Sequence, residues 1–275
     1  MLRLAVRVRR DHAEVVLAEL LDLAPAGVEE VSLDAGVVEY AVYGAPGELP
    51  ALPDLTAAAG SALVEVRTSE VADDWDSRWR SFHRPLVIGE RLSVRPPWEG
   101  RLGTEVELVI DPGQAFGTGS HATTRLCLEL MLSLRGGGAL VDLGCGSGVL
   151  AIAAARLGWA PVVALDNDPA AVDAAASNAR VNGVSESIDV RRHDLRVDPV
   201  ASAETVVANL VRALLLGWAA RLAEVAERPA RVIAGGLLVH EADEVAGAFG
   251  AAGLAEVERR ESGDWTALLL GRQCG

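Results

Sequence analysis

The stretch Val141–Gly148 decides the fold of this chain, and it reads VDLGCGSG. It ends a short apolar run and directly precedes a helical pattern that begins near Val149, so it predicts a turn between a strand and a helix. Glycines at such a turn let the backbone approach a ligand that lies over the N-terminus of the helix. The stretch therefore predicts the first strand, turn and helix of a ligand-binding α/β sheet.

The glycine spacing and two downstream carboxylates narrow the kind of ligand. Gly144, Gly146 and Gly148 follow the pattern G-x-G-x-G, whereas a dinucleotide site more often reads G-x-G-x-x-G. The next apolar strand ends at Asp166, at the distance where a carboxylate accepts hydrogen bonds from both ribose hydroxyls. Asp168, which a proline follows, is instead predicted to cap the next helix. A nucleoside cofactor is predicted, with a dinucleotide site or a turn without a ligand as open alternatives.

Beyond Gly103 apolar strands alternate with helical patterns, which is typical of a mostly parallel sheet with helices on both faces. Strands are predicted at 140–143, 161–166, 188–192, 205–209, 231–234, 256–260 and 266–270. The last two are close in sequence and predict a terminal hairpin with an antiparallel strand. The fold class is therefore α/β, with a seven-stranded Rossmann-like sheet.

Polar residues also follow the third and fourth predicted strands. His193 and Asp194 close the third strand, and Asn209 closes the fourth. Open α/β sheets bind their ligands at the carboxyl ends of their strands, so these residues are expected near the glycine turn. Asp194 is either an acceptor for an adenine amino group or a solvated loop carboxylate, and the sequence favours neither.

A glycine-rich loop precedes the first strand of this sheet. Residues 111–124 read DPGQAFGTGSHATT and enter a helix predicted at 125–134. The loop ends at Thr124, where side-chain hydroxyls and free helix amides together suit a carboxylate such as that of a methionine moiety. The loop therefore predicts a second part of the binding site.

The first seventy residues carry a different pattern. Extended and helical stretches follow the order β-α-β-β-α-β, which predicts a small ferredoxin-like α+β domain. The strands are expected at 2–9, 28–33, 37–43 and 62–68, and the helices at 13–23 and 52–59. Prolines and glycines interrupt 69–103. The expected organisation is a domain at 1–68, a connecting segment at 69–103 and a larger domain at 104–275.

Composition excludes several classes of function. The net charge is −14, so direct nucleic-acid binding is not expected and a basic protein partner is favoured. The cysteines Cys127, Cys145 and Cys274 lack metal-ligand spacing, so no metal site is expected. No apolar run reaches membrane-spanning length and no signal peptide is recognisable, so a cytoplasmic protein without a membrane segment is expected.

Taken together, these residues resemble the PrmA family, the methyltransferases of large-subunit ribosomal protein L11. The resemblance runs from Asp74-Trp75 to the final strand and includes AFGTGSHATT at 115–124, Asn209-Leu210 and GDW at 263–265. It implies a class I methyltransferase that moves methyl groups from S-adenosylmethionine to lysine ε-amines and the N-terminal α-amine of L11. It also implies that the N-terminal domain recognises the substrate, and we expect the protein to act as a monomer.

The resemblance carries site roles onto particular positions. It implies cofactor contacts by Thr124, Gly144, Asp166 and Asn209, and the glycine turn adds Gly146. No general base is evident, so the Asn209 carbonyl is the candidate catalytic group that orients the attacking amine while water takes the proton.

Three rival functions stay open at this point. Methyltransferases of amide or nucleobase nitrogens tend to carry Asn/Asp-Pro-Pro-Tyr/Phe where this chain reads NLVR at 209–212, which disfavours an RNA or small-molecule substrate. A nicotinamide-dependent oxidoreductase leaves the loop at 117–124 and the terminal hairpin unexplained. A non-catalytic binder of ribosomal protein would not require the full set of cofactor positions.

Overall fold

Three β-sheets organise the described part of the chain, which in this computed structural model comprises 2–13, 16–17, 20, 28–32, 36–44, 49, 55–56, 59–70, 85–111 and 122–272. The chain divides into two compact units, Met1–Phe82 and His83–Gly275. The first contains one sheet and the second contains two. Of the described helices, none has the length and apolar character needed to span a membrane.

The N-terminal unit is built on a four-stranded antiparallel sheet with the order β2-β3-β1-β4. Its strands are β1 (Leu2–Arg9), β2 (Glu29–Ser32), β3 (Val37–Gly44) and β4 (Leu63–Glu70). Helical residues lie between β1 and β2 and again between β3 and β4. The predicted β-α-β-β-α-β order is therefore confirmed for the described residues.

Alternation along the strands gives this sheet one apolar and one charged face. Val6 and Val8 on β1 are buried in the same core as the helical residue Leu20. On the other face Glu39 accepts hydrogen bonds from Arg3 at 2.5 Å and Arg7 at 2.7 Å. Burial acts to raise the pKa of Glu39, but these two arginines more than offset it and hold the pKa below its usual value.

A three-stranded sheet occupies much of the segment predicted as a connection. It contains β5 (Leu86–Ile88), β6 (Leu92–Arg95) and β7 (Val106–Val109), with β5 antiparallel and β7 parallel to β6. Its apolar residues join the core of the second unit. The expectation of an irregular connection at 69–103 thus differs from the structure over 85–103, because the punctuating glycines and prolines lie between short strands. Trp75 and the rest of 71–84 lie outside the described residues.

The predicted seven-stranded sheet is confirmed, with the order β10-β9-β8-β11-β12-β14-β13. Its strands are β8 (Leu140–Leu143), β9 (Val162–Asp166), β10 (Ile188–Arg192), β11 (Thr205–Asn209), β12 (Arg231–Leu238), β13 (Leu254–Ser262) and β14 (Trp265–Arg272). The first five strands run parallel, and β14 pairs antiparallel with both β12 and β13. The terminal hairpin therefore forms as predicted.

Helices cover both faces of this sheet. They are α1 (Ala122–Ser133), α2 (Val149–Arg156), α3 (Pro169–Val181), α4 (Arg212–Glu224) and α5 (Ala242–Ala251). Successive residues of β11 enter opposite cores: Val207 packs with residues of α1 and α2, whereas Val206 and Ala208 pack with residues of α4 and α5. This layering leaves the carboxyl ends of the parallel strands as the edge where a ligand can enter.

Candidate functional site

The glycine turn after β8 is tied to the end of β9. The backbone N–H groups of Gly144 and Cys145 donate to the Leu165 carbonyl at 2.8 and 3.0 Å, and Gly148 N–H donates to the Cys145 carbonyl at 2.8 Å. Gly144 has a φ of +71°, in the left-handed region that favours glycine. A Cβ there would also lie 2.3 Å from Leu210 Cδ2. The turn thus requires glycine for both its conformation and its close packing.

Asp166 is held by the amides around it. Gly146 N–H donates to Asp166 Oδ2 at 2.9 Å, and Asp168 N–H donates to Asp166 Oδ1 at 3.0 Å. Each oxygen keeps a second lone pair, so the carboxylate can still accept hydrogen bonds from a diol. Asp168 accepts from Ala170 N–H at 2.9 Å and caps α3, as predicted.

A cavity of about 240 Å³ opens at the carboxyl ends of the strands. Its lining is Gly144, Leu165, Asp166, Asn167, His193, Asp194, Leu195, Arg196, Leu210 and Leu214. Four leucines supply apolar walls, and Asp166 supplies an acceptor. This combination suits a nucleoside, because the base is flat and weakly hydrated while the sugar carries hydroxyl donors.

Asp194 lies in the cavity wall and forms an ion pair that sequence reasoning missed. Arg196 donates to both carboxylate oxygens, from Nε and from Nη2, at 2.9 Å each. These side-chain hydrogen bonds, with a further one from the Arg196 backbone N–H, lower the pKa of Asp194 to about 2. The carboxylate is therefore neither unpaired nor purely solvated, and it stays ionised at neutral pH.

Thr124 and Asn209 meet although 85 residues separate them. Asn209 Nδ2 donates to Thr124 Oγ1 at 3.3 Å, which joins the first turn of α1 to the end of β11. Asn209 Oδ1 is buried and has no hydrogen-bond partner among the described residues. Neither residue lines the 240 Å³ cavity, but the adjacent Leu210 does. The loop at 112–121 lies outside the described residues.

Two glycines on β12 create the space for Asn209 and Leu210. A Cβ on Gly235 would lie 3.0 Å from Asn209 Oδ1, and one on Gly236 would lie 2.5 Å from the Leu210 carbonyl oxygen. Sequence reasoning assigned no role to either. Paired glycines inside a strand often mark such a close approach, and that signal was present at 235–236.

Asp142 is a buried acidic residue on β8, directly before the glycine turn, and the sequence analysis assigned it no role. Its Oδ2 accepts from Ala151 N–H at 2.9 Å, while Oδ1 has no partner among the described residues. Burial raises the pKa of Asp142, the Ala151 hydrogen bond lowers it, and the charge of Asp166 raises it, giving a pKa of about 7.

The structure thus brings Gly144, Gly146 and Asp166 together as one group and Thr124 with Asn209 as another. Leu210 connects the groups, because it follows Asn209 and contacts the glycine turn. Within the described residues, no three His, Cys, Asp or Glu side chains are grouped so that they could hold a metal ion.

Comparison with known proteins places these features in one family. A family model described as Ribosomal protein L11 methyltransferase (PrmA) matches residues 49–273. A protein of that name from Pelotomaculum thermopropionicum is 43% identical over 211 residues, which cover 76% of this chain and 68% of the relative. Another from Symbiobacterium thermophilum is 42% identical over 200 residues, 72% of this chain and 65% of the relative.

A solved structure shares the fold. The ribosomal protein L11 methylase from Lactobacillus delbrueckii subsp. bulgaricus superimposes with a TM-score of 0.60 at 24% identity. The match covers 70% of this chain and 100% of that one.

Proposed function

The chain belongs to the ribosomal protein L11 methyltransferase (PrmA) family, and we propose that it methylates lysine ε-amines and the N-terminal α-amine of L11. The cofactor of this family and fold is S-adenosylmethionine. The names of the relatives support L11 as the substrate. The choice of amine as the accepting group is our proposal, and it follows from the family resemblance of the sequence.

The residues present fit this cofactor. Asp166, with a free lone pair on each oxygen, would accept the ribose hydroxyls, and the leucine-walled cavity would hold the adenine. Thr124 and Asn209 would hold the methionine end, since Asn209 Oδ1 is a buried acceptor that no described residue uses.

The observation that carries the proposal is that two adjacent residues at the end of β11 contact both groups of site residues. Leu210 packs against Gly144 in the wall of the nucleoside cavity, while the adjacent Asn209 bonds to Thr124 at the start of α1. A single extended cofactor could therefore contact both groups of residues. An NAD-type site would not require this second group.

The bound cofactor supplies an electrophilic methyl group on a sulfonium. The attacking lysine must be neutral, and its partial burial beside the bound cofactor would favour loss of its charge. Asn209 Oδ1 accepts a hydrogen bond from the amine and thereby orients its lone pair, and water carries the proton away. Asp166 and the glycine turn act through binding alone.

Incubation with methyl-labelled cofactor and separated ribosomal protein and RNA fractions tests the substrate class. The label is expected in the protein fraction, as methyl-lysine and a methylated α-amine of L11. The chain itself contains no lysine, so any methyl-lysine recovered comes from the substrate. Label in RNA would support the alternative function and contradict this one.

Asn209→Ala tests the catalytic assignment. Loss of the orienting acceptor is expected to lower turnover at saturating cofactor by about tenfold or more. Asn209→Asp keeps an acceptor at the same place and is expected to retain more turnover than the alanine variant. Full turnover and unchanged cofactor affinity in Asn209→Ala would show the assignment to be wrong.

A further inference from the structure

Asn178 on α3 and Asn182, the C-cap of that helix, pair with the backbone at the end of β7 and just beyond it. Asn182 Oδ1 accepts from Val109 N–H at 2.8 Å, and Asn182 Nδ2 donates to the Val109 carbonyl at 2.7 Å. One helical turn earlier, Asn178 Oδ1 accepts from Asp111 N–H at 3.0 Å, and Asn178 Nδ2 donates to the Asp111 carbonyl at 3.4 Å. Each carboxamide therefore bonds to both the N–H and the carbonyl of one backbone residue, at the alternate positions 109 and 111. A neighbouring β-strand would make the same pattern of hydrogen bonds.

Asn178 makes one contact that Asn182 lacks. Its Nδ2 also donates to the Ser147 carbonyl at 2.9 Å, inside the glycine turn. Ser147 directly follows Gly146, whose N–H holds Asp166. Asn178 thereby connects the glycine turn to Asp111 through a single carboxamide.

Asp111 and the glycine turn each precede one of the two groups of site residues. Residues 112–121 follow it directly and lead to α1, where Thr124 meets Asn209. The glycine turn leads to Asp166 and the nucleoside cavity. Asn178 therefore bonds to the two backbone segments that precede the two groups of site residues.

Close packing of α3 against the glycine turn fixes the distance between the helix and the turn. A Cβ on Gly148 would lie 2.9 Å from Ala175 Cβ, so the helix touches the glycine turn one residue beyond Ser147. Asn178 is only 2% exposed, and an apolar residue there would remove its hydrogen bonds to the buried Ser147 and to the backbone of Asp111. Asparagine is also a poor helix former, so intrinsic propensity does not explain its presence in α3.

We propose that Asn178 is a positioning residue for cofactor binding. It sets the distance between the backbones of Ser147 and Asp111. That distance in turn sets the spacing between the residues that bind the nucleoside and those that bind the methionine end of the same cofactor. This inference rests on the proposed function, because the extended cofactor is what must span the two parts.

Asn182 provides a matched control, since it caps the same helix and bonds to the same backbone segment, 109–111, but among the described residues it has no hydrogen bond to the glycine turn. The full-length variants Asn178→Ala and Asn182→Ala are compared by thermal unfolding and by calorimetric binding of S-adenosylhomocysteine, at a temperature where both are folded. Both are expected to lower the melting temperature. Asn178→Ala is expected to raise the Kd at least about tenfold and the KM for cofactor with it, with kcat at saturation within about twofold, while Asn182→Ala changes the Kd by less than about threefold.

Equal loss of affinity in both variants, or unchanged affinity in Asn178→Ala, would overturn the proposal and leave only a structural role. If Asn178→Ala does not fold, Asn178→Ser replaces it, because the serine hydroxyl can keep one of the hydrogen bonds. The serine variant is expected to show the same selective loss of cofactor affinity. Wild-type protein that binds no S-adenosylhomocysteine would instead refute the proposed cofactor, so the two failures are distinguishable.

Discussion

Asp166 and Asp168 are two nearby carboxylates with separate tasks. Asp166 faces the cavity and accepts hydrogen bonds from the backbone N–H groups of Gly146 and Asp168. In the part of the chain that the structure describes, the Asp168 side chain bonds only to the first turn of α3. The sequence predicted both roles, because a strand-terminal acid and an acid before proline are local signals. It could not predict that the amide of Asp168 would help to hold Asp166.

Asp166→Ala is expected to raise the Kd for S-adenosylmethionine by about 10- to 100-fold, since it removes charge-assisted hydrogen bonds to the ribose. Asp168→Ala is expected to leave the Kd nearly unchanged and to lower the unfolding free energy by about 1 kcal/mol, the usual effect of losing an N-cap. Calorimetric titration and urea denaturation of both variants check this. Similar Kd values for Asp166→Ala and wild type would contradict the ribose assignment.

The raised pKa of Asp142 predicts that the free energy of unfolding depends on pH. Its pKa of about 7 in the folded protein lies above the value of about 3.9 for an unfolded aspartate. Between these values the folded state holds a proton that the unfolded chain has released. The stabilisation from this carboxyl is therefore full below about pH 4 and is lost as the pH rises through about 7, at up to about 1.4 kcal/mol per pH unit.

Asp142→Asn removes this titration. Urea denaturation of wild type and variant between about pH 5 and pH 8 is expected to show a difference in unfolding free energy that shrinks as the pH rises. A difference that stays constant over this range would show that Asp142 has no raised pKa.

At the scale of elements, the sequence predicted the strands whose ends carry clear local signals. The predictions at 140–143, 188–192 and 205–209 match β8, β10 and β11 residue for residue. The prediction at 231–234 stopped early, because Gly235 and Gly236 look like a strand end. Instead β12 continues to Leu238, and its pairing with β14 shifts between Ala234 and Leu237. Glycine there marks an irregularity within the strand.

That irregularity positions Asn209, which makes Gly235→Ala an informative change. The added Cβ would lie 2.4 Å from Cys127 Sγ and 3.0 Å from Asn209 Oδ1, both of them buried atoms. Displacement of Asn209 is expected to lower methyl transfer by about tenfold or more. Gly247→Ala in α5, where a Cβ meets open space, is expected to keep full activity and to add up to about 1 kcal/mol of stability. Wild-type activity in Gly235→Ala would contradict the assigned role of this close packing.

Contacts between distant elements explain what the sequence could not predict. Asn178 reaches Asp111 across 67 residues and Ser147 across 31, and Asn182 reaches Val109 across 73. A buried asparagine on a helix has no local signal for such partners. The pairing of Arg196 with Asp194 is local, but its place in the cavity wall depends on the end of β10.

At the scale of the whole molecule, each unit has its own core. Among the described residues, the N-terminal core draws on positions between Leu4 and Val66, and the two cores of the second unit draw on positions from Leu86 onward. This independence supports our proposal that the first unit recognises the substrate while the second binds the cofactor and catalyses transfer.

A fragment comprising 83–275 tests this division of labour. It is expected to unfold cooperatively and to bind S-adenosylmethionine with a Kd within about threefold of the full chain, because the described cofactor residues all lie in it. Its methylation of L11 is expected to fall by at least about tenfold, since substrate docking is lost. A fragment that methylates L11 at the full rate would refute the proposed role of the first unit.

The proposed activity is tested most directly by mass spectrometry of purified ribosomal protein L11 after incubation with the full-length protein and S-adenosylmethionine. We predict mass increments of whole methyl groups that map to lysine side chains and the N-terminal amine and that are absent without cofactor. L11 that stays unmodified, although the protein binds S-adenosylmethionine, would contradict the assigned substrate.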